Sequence, residues 1–127
     1  MVLQTHKNKS FFQALKHAVD GVVYSVKNET NMRTHCVMAT IIIALSIVFQ
    51  ISAAEWLWVL QCIVFILFAE LVNSALEKIV DAVTQQQYYT WAKHVKDMAA
   101  GAVLVSAIYT VCVGAIIFVP RVMEFIF

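Results

Sequence analysis

Long uncharged runs alternate with short polar joints along the chain, and that alternation predicts its elements. From Phe11 onward, Phe11, Phe12, Leu15, Ala18, Val19, Val22, Val23 and Val26 recur at helical spacing. Gln13, Lys16, His17, Asp20 and Lys27 fall on the other face, and Ser10 followed by Gln13 reads as a capping box. The pattern predicts an amphipathic helix over about 10–28 that lies in the plane of a membrane interface. The polar residues Met1 to Asn8 before it read as loosely ordered.

Cys36 to Ala54 carries no charge and is long enough for a membrane span, placed at about 35–54. Ile51 to Glu55 reads as a short turn. Apolar character resumes at Trp56 and persists to Val83, a second span over about 56–83. At ~1.5 Å per residue this is about 42 Å of helix, longer than the ~30 Å hydrocarbon core, so its last turns project beyond the membrane. Counting about 20 residues from Trp56 puts the exit near Ala75. Thr84 to Trp91 forms the connecting loop. The uncharged Met98 to Val119 belongs to a third span over about 92–119, stopped by Pro120 and Arg121. Its opening Ala99-Ala100-Gly101-Ala102 lets another helix approach closely. Trp56, Trp58 and Trp91 suit interfacial belts.

Composition sharpens this picture. The 127 residues are 61% hydrophobic and only 13% charged, where a soluble domain carries roughly a quarter charged residues. With a mean hydropathy of +0.77, the chain reads as one all-α integral membrane unit, residues 1–127, without internal repeats. A net charge of +1 gives no reason to expect a nucleic-acid partner. Cys36, Cys62 and Cys112 lie in different apolar runs and read as buried free thiols rather than a zinc site or disulfide framework. The first sustained apolar run starts only after His35, unlike a cleavable signal peptide. Lys7, Lys9, Lys16, Lys27 and Arg33 precede the first span, and Lys78, Lys93 and Lys96 lie between the second and third. By the positive-inside rule the N-terminus and second loop face the cytoplasm and the C-terminus lies outside.

The candidate chemistry sits where the second span ends. Glu70, Asn73, Glu77 and Asp81 are spaced to share one helix face. A solvated helix end would explain Glu77 and Asp81, but not Glu70, whose neighbours Phe68, Ala69, Leu71 and Val72 are all apolar. An ionisable group inside a membrane segment marks a functional site. Carboxylates with a Lys96-Asp97 pair near a cytosolic surface suit metal-nucleotide chemistry. Mg²⁺ takes a few carboxylates plus nucleotide phosphates, which makes Glu77 and Glu29 the metal candidates. Lys96 can meet phosphate, and Glu70, partly desolvated, suits a general base for a hydroxyl held at the interface. Lys93 marks the cytoplasmic side, and His35 reads as an interfacial anchor. No P-loop and no kinase glycine loop occurs, so an ATP site would be of another kind.

Glu70-x-x-Asn73-Ser74-Ala75-x-Glu77-x-x-x-Asp81, followed by Lys93-x-x-Lys96-Asp97-Met98-Ala99-Ala100, resembles the prokaryotic diacylglycerol kinase family over nearly the whole chain. Asn31, His35, the Glu55-Trp56 turn and the closing Ile117-Phe118-Val119-Pro120 look more like its Gram-positive branch of undecaprenol kinases. The resemblance implies a homotrimer of three-span subunits with a surface helix, composite active sites at the cytoplasmic membrane face, and Mg-ATP as donor. It makes Glu70 the general base that meets the lipid substrate, with Asn73 organising it. It gives the metal to Glu29 and Glu77. The nucleotide falls to those two together with Lys96 and Asp97, supported by Asp81, with Gln86 and Tyr88 near the adenine. His17 falls where the family has an aromatic residue near the nucleotide. Ser10, Gln13 and Asp20 stand where the enterobacterial branch carries basic residues, which favours undecaprenol over diacylglycerol. Two other readings of the residues are a small proton-coupled transporter built on Glu70 and a non-catalytic membrane assembly subunit.

Overall fold

A computed structural model describes residues 10–127; the N-terminal segment expected to be loosely ordered lies outside them. Four helices follow in order: α1 (Phe11–Asn28), α2 (Thr30–Val48), α3 (Ala53–Thr84) and α4 (Thr90–Ile126). The last three are long and apolar enough to cross a membrane. Most of their large apolar side chains face outward, among them Ile41, Val64, Phe68, Leu104, Val111 and Ile116. That inversion of the usual soluble pattern is what a lipid solvent permits. Helix α3 packs against each of the other three, most extensively against α4.

The boundaries follow from local chemistry, and several differ from the pattern-based expectation. Ser10 Oγ accepts the Gln13 N–H at 3.3 Å and opens α1. Glu29 alone separates α1 from α2, with φ −106° and ψ 120°. The Arg33 guanidinium pins this joint by donating to the Lys27 carbonyl at 2.7 Å and to Thr30 Oγ1 at 3.1 Å. So α2 begins before the uncharged run does, because a helix start needs no apolar residues. It also ends earlier, at Val48. Ser52 and Glu55, placed in the turn by the sequence pattern, form a reciprocal capping box that makes Ala53 to Glu55 the first turn of α3.

Helix α4 runs through Pro120 rather than stopping there. Proline removes one hydrogen bond and crowds the preceding turn, but the next turn is anchored. Arg121 Nη1 donates to the Ile117 carbonyl and Nη2 meets Glu55 Oε2, both at 2.6 Å. Nearby, Ile51, Val59 and Ile117 are buried against Phe49, Trp56 and Phe118, so Trp56 packs into a core. Among the cysteines, all free, Cys62 is buried, Cys36 is half-buried and Cys112 is exposed on α4. The expectation that every thiol is buried fails for Cys112, whose helix turns that face outward.

At the other end α3 closes on Gln85 at φ 51°, followed by Gln86 at φ 62°. Two successive left-handed residues fold the chain back sharply, with the Gln85 and Gln86 N–H groups both on the Asp81 carbonyl. Neither is glycine, so the turn carries some backbone strain. At ~1.5 Å per residue α3 and α4 reach about 48 and 55 Å. Both therefore project well beyond a ~30 Å hydrocarbon core, and the polar ends of the pair form one platform.

Candidate active site

Helical spacing puts Glu70, Asn73, Glu77 and Asp81 on the stripe of α3 that faces α2 and α4, and the structure resolves this stripe into two groups. The inner group surrounds Glu70, which is 2% exposed. His35 Nε2 of α2 stands 3.9 Å from Glu70 Oε2. The Asn31 side chain comes within reach of the same carboxylate, and Glu77 and Glu29 are near enough to act on it electrostatically. Asn73, also buried, donates from Nδ2 to Glu77 Oε1 at 3.4 Å, while its Oδ1 is a buried acceptor with no partner among the described residues. Such an orphaned acceptor is costly unless a ligand or water donates to it. Glu29 reaches this group from the α1–α2 joint, where its Oε1 accepts from Lys78 Nζ at 2.7 Å.

The outer group lies where α3 ends and α4 begins. Asp81, Gln86, Gln87, Tyr88, Lys93 and Lys96 line an open crevice of about 580 Å³, with Asp97 beside them. Lys96 Nζ pairs with Asp81 Oδ1 across the two helices, and Lys93 pairs with Asp97 within α4. This corrects the expected Lys96-Asp97 pairing. Neighbours on a helix point about 100° apart and cannot meet, whereas residues four apart can. The left-handed turn at Gln85 and Gln86 carries Gln86 and Tyr88 into the same crevice.

An apolar cavity of about 330 Å³ runs between α2 and α4 over the face of α3. Thr34 and His35 stand at one end, beside Glu70, and Phe118 at the other. Its walls are Met38, Ala39, Ile42, Ile66 and Val111, among others. The buried carboxylate thus stands beside one end of an apolar channel, through His35, and the polar crevice opens further along α3, from Val80 onward.

The expected site residues divide accordingly. Glu70, Asn73, Glu77 and Glu29 come together in the inner group, and Asp81, Gln86, Tyr88, Lys96 and Asp97 in the outer one. His17 stands exposed on α1, and no hydrogen bond or ion pair among the described residues joins it to either group. Asn31, His35 and Lys78 belong to the site although the sequence pattern did not assign them there. His35 passes for an anchor until α2 is packed against α3. Lys78, the one cation between Glu70 and Asp81, was the available signal. Among the described residues no three His, Cys, Asp or Glu side chains form a ready-made metal cage.

Comparison with known proteins shows the family. Residues 16–118 match the family model for prokaryotic diacylglycerol kinase. The chain is 32% identical to an undecaprenol kinase of Bacillus subtilis over 118 residues, covering 91% of this chain and 95% of that protein. It is 35% identical to a diacylglycerol kinase of Synechocystis over 113 residues, 87% of this chain and 63% of the relative. A Helicobacter pylori diacylglycerol kinase is 33% identical over 102 residues, 80% of this chain and 78% of the relative.

Proposed function

The chain belongs to the prokaryotic diacylglycerol kinase family, and from that premise we propose that it phosphorylates undecaprenol to undecaprenyl phosphate, with ATP as donor, at the cytoplasmic face of the membrane. The observation that carries the reading is the placement of Glu70. A buried carboxylate beside His35 at one end of an apolar channel, on the helix whose far end lines the polar crevice, can take a proton from an alcohol whose tail stays in lipid. The relative that this chain covers almost end to end acts, by its name, on undecaprenol.

The chemistry then distributes as follows. Glu70 accepts the proton of the lipid hydroxyl, the hydroxyl oxygen attacks the γ-phosphorus, and ADP leaves. Asn73 fixes Glu77 beside Glu70 and offers its free Oδ1 to the incoming polar head. In the crevice Lys96, positioned by Asp81, meets the nucleotide phosphates, with Asp97, Gln86 and Tyr88 around it.

The inner donor set fits Mg²⁺. Two carboxylates, Glu29 from the α1–α2 joint and Glu77 from α3, approach the site without completing a cage, and Mg²⁺ takes one or two carboxylates along with phosphate oxygens and water. These two would hold the ion, which would neutralise phosphate charge.

At the level of the cell, α1 would lie on the cytoplasmic surface. Phe11, Phe12, Leu15, Val19, Val22 and Val23 are all exposed and form an unpartnered apolar face suited to the interface. The N-terminus and the α3–α4 loop would be cytoplasmic and the C-terminus outside. A homotrimer with shared sites follows from the resemblance. An apolar groove of about 600 Å³ along α3 and α4, lined by Phe65, Phe68, Gly101, Ala102 and Val105, offers a second copy a seat. Diacylglycerol is the second reading, favoured by the 35% identity to the Synechocystis enzyme. Phosphate transfer from labelled ATP to the two lipids in parallel decides between them.

A further inference from the structure

Lys78, like Asn31 and His35, has no role in the scheme above. Its ammonium makes a 2.7 Å ion pair with Glu29 Oε1 and sits 5.4 Å from the centre of the Tyr24 ring. The three residues come from three elements: Tyr24 from the last turns of α1, Glu29 from the α1–α2 joint and Lys78 from α3. The pair therefore ties the surface helix and its hinge to the catalytic helix. Glu29 is also one of the two carboxylates available to a divalent cation, and the oxygen given to Lys78 is one a cation would need. Lys78 is half exposed on a flexible four-carbon stem, so it can leave without disturbing the backbone.

Resting on the kinase reading above, we propose that Lys78 is a positioning latch that competes with the divalent cation for Glu29 and transfers to nucleotide phosphate when that cation is bound. The exchange conserves charge. The cation takes the carboxylate, and the displaced ammonium finds a new anion in the phosphates that arrive with it. Metal and nucleotide binding become coupled, because each removes a cost that the other would otherwise meet. The Tyr24 ring holds the ammonium near its post through the cation–π contact.

The test uses the full-length protein in detergent micelles, with Mn²⁺ binding followed by electron paramagnetic resonance, with and without an ATP analogue whose γ-phosphate cannot be transferred. In Lys78→Gln, Mn²⁺ alone binds about threefold tighter than in wild type, since the competitor is gone. The analogue then tightens Mn²⁺ less than it does in wild type. Lys78→Arg, which keeps the cation, retains most of the wild-type coupling, and Tyr24→Leu shifts Mn²⁺ affinity the same way as Lys78→Gln by a smaller factor. Unchanged or weaker Mn²⁺ binding in Lys78→Gln, or coupling equal to wild type, overturns the latch while leaving the kinase reading intact. Equal Mn²⁺ binding by Glu29→Gln and wild type removes Glu29 from the metal, and the latch with it. Absence of phosphate transfer by wild type to any lipid alcohol, measured on the same preparation, would instead mark failure of the kinase reading.

Discussion

A carboxylate kept almost wholly from solvent beside an uncharged channel has few uses, and Glu70 is such a group. Glu70→Gln preserves its shape and removes its basicity. Transfer to lipid should fall by about 10²–10⁴-fold, while nucleotide binding, measured by equilibrium dialysis, stays near wild type. Lys96→Met should act differently: it removes the charge facing the phosphates and raises the KM for ATP more than it lowers kcat. Asp81→Asn should produce a weaker version of the same defect, because Asp81 only holds Lys96 in place. Steady-state kinetics with ATP varied separates these outcomes. Which residues carry charge into the membrane was legible from the chain, because Glu70 interrupts an apolar run. Their partners were not. His35 and Asn31 approach Glu70 only once α2 lies on α3, and Lys96 reaches Asp81 only once α4 folds back.

Among elements, the α2–α3 turn and the α3–α4 turn do opposite jobs. The first is a structural clasp, closed by the Ser52–Glu55 capping box and by Arg121 from α4 on the same carboxylate. Ser52→Ala should lower stability by about 1 kcal/mol. Arg121→Gln should reduce the midpoint of thermal unfolding in detergent by a few degrees, with transfer activity at moderate temperature unchanged. Differential scanning fluorimetry and the transfer assay together check both variants. The second turn serves the site, since two left-handed glutamines aim the loop into the crevice. Three apolar helices were readable because each run is long enough for a span. The ends were less so. Pro120 marks a stop by its own preference, yet Arg121 bonded to Glu55 and Ile117 holds the helix on both sides of it. Ser52 and Glu55 are polar, as a turn would be, and serve as a cap instead.

For the whole molecule, one helix organises everything else: α3 carries the stripe, contacts the other three helices and extends well past the membrane. The exposed apolar faces of α1 and of the α3–α4 groove are what one chain leaves uncovered. Light scattering in detergent, corrected for bound detergent, should give the mass of three chains, and mixing Glu70→Gln with Lys96→Met chains before reconstitution should restore part of the activity if sites are shared. The architecture of a single chain follows from its hydrophobic runs. Assembly does not, because the same apolar side chain faces lipid or a neighbouring helix at similar cost.

The most direct test is transfer of labelled phosphate from Mg-ATP to undecaprenol and to diacylglycerol, side by side, by purified protein in mixed micelles. The account predicts rapid labelling of undecaprenol, slower labelling of diacylglycerol, and neither with Glu70→Gln. Labelling that favours diacylglycerol would contradict the proposed substrate and leave the site intact. Labelling that survives Glu70→Gln would contradict the role given to the buried carboxylate, on which the rest of the account depends.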